Sequence, residues 1–474
     1  MSRSQDHARP MPSQAVVLTS DTPQDPLAPT ETRVAGLSML QRTLAMLQWA
    51  GIKDALVVVG DWLRKSAEAD LAMSRVLDPQ RMRVRLITDQ SARERGWLSV
   101  SPAVAFVGER ALLVRADTVF DRQLIRATAD ASPPEGGLTA LFDGDLPVGM
   151  AHCTREALIN FNGCRWDTAL AEQRGELNRL AVDGVFWIRV DSQAAIRKAE
   201  DNLWNSCRKP HDGIVSRHLN RNISLFISRR IAHLPISPNH ISLGNLVLGL
   251  ITALIVMQGG YWMFLLGAFL FKLNSILDGV DGELARVRYQ MSVVGEWMDT
   301  IADDVANNLF FIALAIGAYR MTGSSLWVVL GFANAVPSLL ATAYQYRLLI
   351  SNGRGDLLAI KWLFERGNGK GDGARGPLAA VLDKAKYVVK RDFYIALLLA
   401  VSIVGLLPWM LVITTTANLI VLATCVGQEV LAVRMAQAGK SVQLVLAERS
   451  SPVTVMPPSS PTPGALPARV PTRR

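Results

Sequence analysis

The sequence lacks a closely spaced cysteine pair, a secretion signal and a nucleic-acid-binding motif. Its four cysteines, Cys153, Cys164, Cys207 and Cys425, match no CxxC or zinc-ligand spacing, so we expect free thiols in a reducing compartment. The first fourteen residues contain no apolar stretch of the kind that a signal peptide needs, which favours a cytoplasmic N-terminal half. The net charge of +9 then indicates basic membrane loops, and no nucleic-acid partner is expected.

Apolar residues are unevenly distributed along the 474 residues. Residues 1–235 alternate short apolar runs that predict strands, such as ALVVV at 55–59 and AVAFV at 103–107, with amphipathic stretches. This pattern predicts an α/β domain with a mostly parallel sheet. Residues 236–436 contain several long apolar runs, as transmembrane helices do. The expected fold is therefore multi-domain, with an N-terminal α/β domain followed by an all-α transmembrane domain of six helices.

The composition predicts five segments. We expect residues 1–14 to be disordered, 15–200 to form the α/β domain, 201–235 an amphipathic interfacial segment, 236–436 the transmembrane domain, and the Pro- and Ser-rich residues 437–474 a disordered tail. The interfacial assignment depends on residues 216–233, which mix Leu, Ile and Phe with arginines directly before the first apolar run. An ordinary surface helix is the alternative for this stretch.

Six membrane spans are predicted, near 241–258, 261–277, 293–319, 325–346, 393–408 and 411–433. Basic and non-basic connections alternate between them, and the 347–391 connection holds ten Lys or Arg residues against four acids. Because basic loops stay in the cytoplasm, an even number of spans places both termini and the second connection there.

Residues 277–304, LDGVDGELARVRYQMSVVGEWMDTIADD, carry the most informative pattern in the chain. Asp278 and Asp281 are three residues apart, and Asp299 and Asp303 are four apart, so each pair shares a helix face. Four clustered carboxylates repel one another unless cations bind them, and Mg²⁺ or Mn²⁺ prefers such oxygen ligands. Two ions about 4 Å apart could hold a pyrophosphate and stabilise the attacking and leaving oxygens. An Asp-rich loop neutralised by Arg286 and Arg288 is the structural alternative.

This pattern resembles the signature of the CDP-alcohol phosphotransferase family at every fixed position: Asp278, Asp281, Gly282, Ala285, Arg286, Gly295, Asp299 and Asp303. The resemblance implies that the four aspartates bind two divalent ions and that Asp303 is also the general base toward the acceptor hydroxyl. It implies further that Gly282, Ala285 and Arg286 line the CDP pocket, and that the enzyme is a homodimer. Residues 238–242, PNHIS, resemble the start of the family's first span, where Asn239 either contacts cytidine or only caps the helix.

Residues 212–221 and 390–392 resemble a family branch that joins inositol phosphates and carries an N-terminal cytidylyltransferase-like domain. Arg221, Lys390 and Arg391 are therefore candidates for binding an acceptor phosphate; contact with lipid headgroups is the alternative for each. Lys272, a charge inside the second span, is a further functional candidate, with snorkelling to the interface as its alternative.

The N-terminal half resembles nucleotidyltransferases but departs from them after its first strand. Active members have a Gly-rich loop with Arg and a downstream Pro-Lys there, whereas this chain has TSDTPQD at 19–25, with no glycine. Asp117 occupies a position where such enzymes often bind metal, and without the loop we interpret it as a surface carboxylate. We therefore expect a degenerate domain that serves as a scaffold or for dimerisation.

The expected activity is transfer of a phosphoalcohol group from a CDP-alcohol to the hydroxyl of an acceptor, a polyol phosphate, with release of CMP. Phospholipid and inositol-phosphodiester synthesis are both open, because CDP-diacylglycerol and CDP-inositol fit the pattern equally. A membrane-anchored nucleotidyltransferase and a non-catalytic membrane scaffold are the alternatives. The first conflicts with the missing Gly-rich loop, and the second leaves four clustered carboxylates without a role.

Overall fold

The computed structural model describes residues 12–19, 27–161, 165, 176–208, 215–351, 360 and 391–437. These residues form two compact units, the first ending at Glu200 and the second beginning at Asp201. The segments expected to be disordered lie almost entirely outside the described residues and stay predictions.

The N-terminal unit alternates strands and helices. Its strands are β1 (Gln14–Leu18), β2 (Arg33–Val34), β3 (Leu37–Ser38), β4 (Asp54–Gly60), β5 (Arg83–Asp89), β6 (Arg110–Arg115), β7 (Thr118–Phe120), β8 (Leu138–Asp143), β9 (Leu146–Thr154), β10 (Leu177–Ala181) and β11 (Trp187–Arg189). Its helices are α1 (Met39–Trp49), α2 (Arg64–Ala72), α3 (Ala92–Arg95), α4 (Ser101–Val104), α5 (Arg122–Asp130) and α6 (Arg155–Asn160), with α7 (Gln193–Asn205) at the junction of the units.

Seven strands form the main sheet, in the order β10-β8-β9-β6-β1-β4-β5. The pairs of β1 with β4, β1 with β6, and β4 with β5 are parallel, while β9 pairs antiparallel with both of its neighbours. The apolar side chains of the central strands, such as Val16, Val58 and Leu113, are fully buried, as strands covered on both faces require. The predicted α/β class is therefore confirmed.

One predicted strand of this unit is wrong. Residues 103–107 were expected to extend, but residues 101–104 form the short helix α4 instead. Pro102 lies at the start of this helix, where its fixed φ suits the first turn, and a proline cannot donate to a strand ladder.

The described residues of the C-terminal unit are mainly helical. A π-helical turn (Ser216–Asn220) leads into α8 (Arg221–Ile231), followed by α9 (Pro238–Val256), α10 (Tyr261–Val287), α11 (Val293–Thr322), α12 (Leu326–Ser351), α13 (Arg391–Ile403), a 3₁₀ turn (Leu407–Trp409) and α14 (Met410–Gln437).

Within the described residues, five helices are long and apolar enough to cross a membrane, which are α9, α10, α11, α12 and α14. The prediction of six such spans is therefore wrong by one. The fifth predicted span, 393–408, is the apolar helix α13, which ends at Ile403 after 13 residues, about 20 Å of helix. It stops there because Gly405 has a positive φ of 75° and Pro408 begins a 3₁₀ turn. Five apolar helices still indicate a multi-pass membrane protein.

Close backbone approach holds α9 against α11. A Cβ added to Gly249 would lie 2.7 Å from the Cβ of Ala306, which is shorter than a van der Waals contact, so only glycine fits there. Deeper in the bundle, the rings of Phe271 and Phe310 stack with their centroids 4.2 Å apart and join α10 to α11. These contacts fix three helices relative to one another below the acidic residues.

Candidate active site

Three of the four predicted aspartates converge in the structure. Asp278 on α10 and Asp299 and Asp303 on α11 are half-buried, and each offers a carboxylate oxygen within 4.8 Å of the others. Since residues 278–287 belong to α10, the alternative of an Asp-rich loop does not apply. The acidic residues instead lie on the ends of two membrane helices.

The turn between α10 and α11 brings these helix ends together. Tyr289 adopts a left-handed φ of 56° directly after α10, and the Ser292 side chain then caps α11 by accepting a hydrogen bond from the Gly295 amide. Arg288 is buried and donates to the carbonyls of Ala232 and Ile236, which ties the turn to the segment that precedes α9.

Asp281 lies outside the group of three carboxylates. It accepts hydrogen bonds from the hydroxyl of Ser242 on α9 and from the amide of Gly282. It nevertheless remains within electrostatic range of Asp278 and Asp303. The sequence included Ser242 in the PNHIS pattern, but it gave no signal that this hydroxyl would hold an aspartate.

The residues predicted to line the CDP pocket lie on the last turns of α10. The Arg286 guanidinium packs against Gly282, since a Cβ added to that glycine would lie 3.2 Å from Arg286 Nη1. The Nε of Arg286 is buried and has no hydrogen-bond partner among the residues that the structure describes. Ala285 is half-buried beside them.

Asn239 is exposed in the first turn of α9 and does not cap the helix. The N-cap is Ser237, which forms a capping box with His240, so the interpretation of Asn239 as a cap is wrong. Its Oδ1 would lie 3.5 Å from a Cβ added to Gly295. Asn239 therefore faces the start of the helix that carries Asp299 and Asp303.

Arg221 begins α8, where it is buried against α10. Its Nη1 donates to Oε1 of Glu283 at 2.9 Å, and a Cβ added to Gly279 would lie 3.4 Å from the same nitrogen. Gly279 follows Asp278 directly, so the guanidinium packs on the turn that carries a predicted metal ligand. Glu283 itself is a residue that the sequence analysis missed.

Lys390 lies outside the described residues, as do residues 209–214, and the backbone of Arg391 begins α13. One turn later, the Tyr394 hydroxyl donates to Oδ1 of Asn307 at 2.8 Å. Asn307 follows Asp303 by one helical turn, so this bond places the start of α13 beside the acidic helix. Lys272, the charge inside the second span, is buried within α10.

Two further residues beside the carboxylates had no sequence signal. Asp304, next to Asp303, accepts a hydrogen bond of 2.8 Å from the Tyr346 hydroxyl. The ring of Tyr346 packs edge-on against Trp297, with centroids 5.2 Å apart. Asp304 is thus bonded to α12, while its neighbour Asp303 belongs to the group of three carboxylates.

In the N-terminal unit, Asp117 is a buried ion-pair partner, so its interpretation as a surface carboxylate is wrong. It accepts hydrogen bonds from Arg115 and Thr118, and Arg189 Nε lies 3.3 Å from its Oδ2. Burial raises the pKa of Asp117, but the two guanidinium groups and the hydroxyl outweigh it, so the pKa lies below its usual range. The residues 20–26 that replace the Gly-rich loop lie outside the described part of the chain.

The group of three carboxylates fits a hard divalent cation. Its donors are all oxygens and converge from two helices, and Mg²⁺ and Mn²⁺ favour such ligands over nitrogen or sulfur. Half-burial also leaves part of the coordination shell for water or substrate oxygens, which Mg²⁺ normally retains.

The bundle of apolar helices indicates a multi-pass membrane protein, and three carboxylates that could hold a metal ion lie at the ends of two of its helices. Residues 235–362 match the family model described as CDP-alcohol phosphatidyltransferase. Relatives include two proteins named bifunctional IPC transferase and DIPP synthase. The one from Rubrobacter xylanophilus is 30% identical over 359 residues, covering 68% of this chain and 79% of the relative. The one from Aquifex aeolicus is 26% identical over 316 residues, covering 60% and 71%. The chain belongs to the CDP-alcohol phosphatidyltransferase family, and it is a CDP-alcohol phosphotransferase.

Solved structures similar to part of the chain include the inositol-1-phosphate CTP transferase from T. maritima, 13% identical, which covers 41% of this chain and 96% of its own with a TM-score of 0.31. Another is Rv0371c from Mycobacterium tuberculosis, 18% identical, with coverages of 40% and 98% and a TM-score of 0.32.

Proposed function

We propose that the protein transfers a phosphoalcohol group from a CDP-alcohol to a hydroxyl of a polyol phosphate, and so forms a phosphodiester and releases CMP. The observation that carries this proposal is the convergence of Asp278, Asp299 and Asp303 at the ends of α10 and α11. Electrostatic neutralisation and positioning dominate phosphoryl transfer, and this site offers oxygen ligands for cations, with Arg221 beside Gly279 and Arg286 beside Gly282 on the same helix.

Asp278, Asp299 and Asp303, joined by Asp281, would hold two Mg²⁺ or Mn²⁺ ions. When bound, these ions would neutralise the pyrophosphate of the donor and the charge that develops on its oxygens. The ligand assignment can be tested without turnover, by titrating Mn²⁺ into the purified protein and following the loss of the free-ion electron paramagnetic resonance signal. Asp299→Asn should weaken Mn²⁺ binding, whereas Asp304→Asn, on the neighbouring face, should leave it nearly unchanged.

Asp303 is the proposed general base. It accepts the proton of the acceptor hydroxyl, whose oxygen then attacks the β-phosphorus of the donor. The new bond joins the acceptor oxygen to this phosphorus, and the bond from the phosphorus to the bridging oxygen breaks. That oxygen leaves on the α-phosphate of CMP. Arg286, whose Nε is buried without a partner among the described residues, and Gly282, Ala285 and Asn239 would bind the CDP moiety.

The acceptor is proposed to carry a phosphate, because an arginine begins each of two helices, α8 and α13, that contact the helices of the acidic group. Arg221 packs against the turn of Asp278, and α13, which Arg391 begins, is bonded to the helix of Asp303 through Tyr394. Lys390 directly precedes Arg391. The relatives' name, DIPP synthase, and the resemblance to the branch that joins inositol phosphates favour an inositol phosphate as acceptor and CDP-inositol as donor. CDP-diacylglycerol with a polyol phosphate is the second combination.

We infer that the N-terminal unit does not perform nucleotidyl transfer. In open α/β sheets, ligands bind beyond the carboxyl ends of the parallel strands. After β1, residues 19–32 contain three acids and no Gly, Lys or Arg, so this segment offers a nucleotide triphosphate neither flexible amides nor positive charge. Asp117, after β6, is neutralised by Arg115 and Arg189. Incubating the protein with CTP, inositol 1-phosphate and Mg²⁺ should release no pyrophosphate, and measurable release would contradict this inference.

The active site and both termini are proposed to face the cytoplasm, because the 347–391 connection is strongly basic. With five long apolar helices, both termini share one side only if the shorter apolar helix α13 also crosses the membrane. A homodimer is proposed from the family resemblance. Outward-facing Ile223 and Phe226 on α8, next to exposed arginines, support the proposal that this helix lies at the lipid interface.

The decisive experiment measures CMP release by the detergent-purified protein with Mg²⁺ or Mn²⁺. CDP-inositol and CDP-diacylglycerol are crossed with inositol phosphate, glycerol phosphate, inositol and serine. One productive pair, whose turnover is lost in Asp303→Asn, would identify the substrates. Turnover with unphosphorylated acceptors alone would contradict the proposed polyol phosphate.

A further inference from the structure

Glu283 is fully buried between α8 and α10, and three side chains of the same unit bond its carboxylate. Its Oε1 accepts from Arg221 Nη1 at 2.9 Å and from the Ser224 hydroxyl at 2.6 Å, and its Oε2 accepts from the Ser228 hydroxyl at 2.6 Å. All three donors come from α8, at positions that share one helix face. The carboxylate thus fixes both the position and the rotation of α8 on α10.

This arrangement departs from the usual amphipathic pattern. The buried residues of α8 are Arg221, Ser224 and Ser228 together with a single apolar residue, Leu225, whereas Ile223 and Phe226 point outward with 37% and 57% exposure. A buried ion pair contributes little net stability, because the desolvation of both charges offsets their attraction. Apolar residues would hold these helices together at least as well. The polar contact between α8 and α10, formed by Glu283 with Arg221, Ser224 and Ser228, therefore has a reason other than stability.

This polar contact between α8 and α10 lies next to the proposed active site. Glu283 follows Asp281 by two residues on α10, and it therefore points away from the acidic face while remaining on the same turn. Its partner Arg221 reaches back along the helix to Gly279, where an added Cβ would lie 3.4 Å from Nη1. Gly279 is the residue after Asp278, so Glu283 holds the guanidinium on the turn of a carboxylate in the acidic group.

We propose that Glu283 is a positioning residue that fixes Arg221, and with it α8, for binding the phosphate of the acceptor. This inference rests on the proposed function, in which Arg221 contacts that phosphate. Without the Glu283 charge, the guanidinium would lose a buried charged partner that restricts its rotamer, and the long arginine side chain would need more ordering at each binding event. The cost should appear in acceptor binding and not in the binding of the CDP-alcohol.

The first test compares Glu283→Gln with the wild type in the CMP-release assay. The amide preserves the shape and can still accept one hydrogen bond, but it removes the charge. The KM for the phosphorylated acceptor should rise about tenfold, the scale of one charge-assisted hydrogen bond, while kcat and the KM for the CDP-alcohol change less than about twofold. Glu283→Asp should restore part of the loss. Glu429→Gln is the matched control, because Glu429 pairs with Arg347 at 2.7 Å on α12 and α14, and no acceptor effect is expected there.

A double-mutant cycle with Arg221→Gln separates positioning from general support of the fold. If Glu283 acts through Arg221, Glu283→Gln should not raise the acceptor KM further once Arg221 is replaced. Additive effects, or equal losses for donor and acceptor, would overturn the inference while leaving the proposed function intact. An Arg221→Gln variant with normal acceptor kinetics would instead contradict the assignment of Arg221 in the proposed function.

Hydrogen exchange tests the anchoring without requiring turnover. In Glu283→Gln, peptides covering 216–231 should exchange faster than in the wild type, and peptides from α14 should not change. Unchanged protection of 216–231 would overturn the inference even if no substrate pair were active. Faster exchange throughout the unit would also overturn it, since it would show a loss of the fold.

Discussion

The hydroxyl of Tyr394 donates a 2.8 Å hydrogen bond to Oδ1 of Asn307, one helical turn from Asp303. Asn307 continues the face of α11 that carries Asp299 and Asp303, since the three residues are spaced by four. The bond joins α13 to this face. It therefore couples the proposed general base to the helix that begins with the acceptor candidate Arg391.

Removing this bond should affect the acceptor more than the fold. In Tyr394→Phe, we expect the acceptor specificity constant to fall about fivefold, corresponding to about 1 kcal/mol for one intramolecular hydrogen bond, because the start of α13 is held less firmly. CMP-release kinetics with a varied acceptor would measure this. A loss confined to the donor KM would contradict the proposed location of the acceptor.

The neighbouring carboxylates Asp303 and Asp304 should differ sharply in their importance. Asp303→Asn should reduce kcat by about 10²–10⁴-fold, the usual range for a general base. Asp304 accepts a hydrogen bond from Tyr346 and is not among the three carboxylates that converge, so Asp304→Asn should reduce kcat less than about tenfold. Steady-state CMP release from both variants at saturating substrates decides this, and similar losses would show that both carboxylates take part in the chemistry.

Gly249→Ala should destabilise the membrane unit, because the new methyl would lie 2.7 Å from Ala306 Cβ. Overpacking of this kind costs about 1–3 kcal/mol, so the midpoint of thermal unfolding in detergent should fall by several degrees. Gly244→Ala is the matched control on the same helix, since nothing lies within 4 Å of its added Cβ. Equal midpoints for the two variants would mean that α9 and α11 can separate at little cost.

His152 should make the stability of the chain depend on pH. Its ring is 2% exposed and Nδ1 lies 2.9 Å from the Ala131 carbonyl oxygen. Burial lowers the pKa of His152 below its usual range, with the carbonyl contact opposing this only in part. Below the unfolded pKa of about 6.5, the unfolded chain binds a proton that the folded chain does not, so stability present above this pH is lost as the pH falls.

The corresponding measurement is thermal unfolding of the full chain at pH 7.5 and pH 5.5, with His152→Gln for comparison. The midpoint of the wild type should fall more on acidification than that of the variant, because glutamine has no proton to gain. Parallel shifts in the two proteins would show that other groups determine the pH dependence.

The patterns with a fixed period were predictable from the sequence. The sequence pattern predicted a cluster of four aspartates, of which Asp278, Asp299 and Asp303 converge while Asp281 lies outside the group. The alternation of strands and helices gave the correct class for the N-terminal unit. The end of α13 was missed because apolar composition concealed the breaks at Gly405 and Pro408. Pro102 likewise turned an expected strand into a helix.

Contacts between distant residues were not predictable. Glu283 occupies a variable position between Gly282 and Ala285 in the pattern, and its three donors lie 55 to 62 residues earlier in the chain. Ser242 and Asp281 are 39 residues apart, and nothing in their local sequence indicates that they would bond. Such contacts depend on how the helices pack, and helix packing leaves no periodic pattern in a single sequence from which the partners could be read.

The length of α10 determines where the two reactants can meet. From Tyr261 to Asp278 the helix rises about 26 Å, close to the thickness of the hydrocarbon layer, and it continues to Val287 beyond that point. A helix of this length places the acidic group at the boundary between the hydrocarbon layer and water, so a reactant can arrive from the lipid or from the aqueous phase. The kinetics should reveal the phase of each reactant. Diluting the micelles with extra detergent at constant total substrate would slow the reaction if the donor is a lipid, and would leave the rate unchanged for a donor dissolved in water.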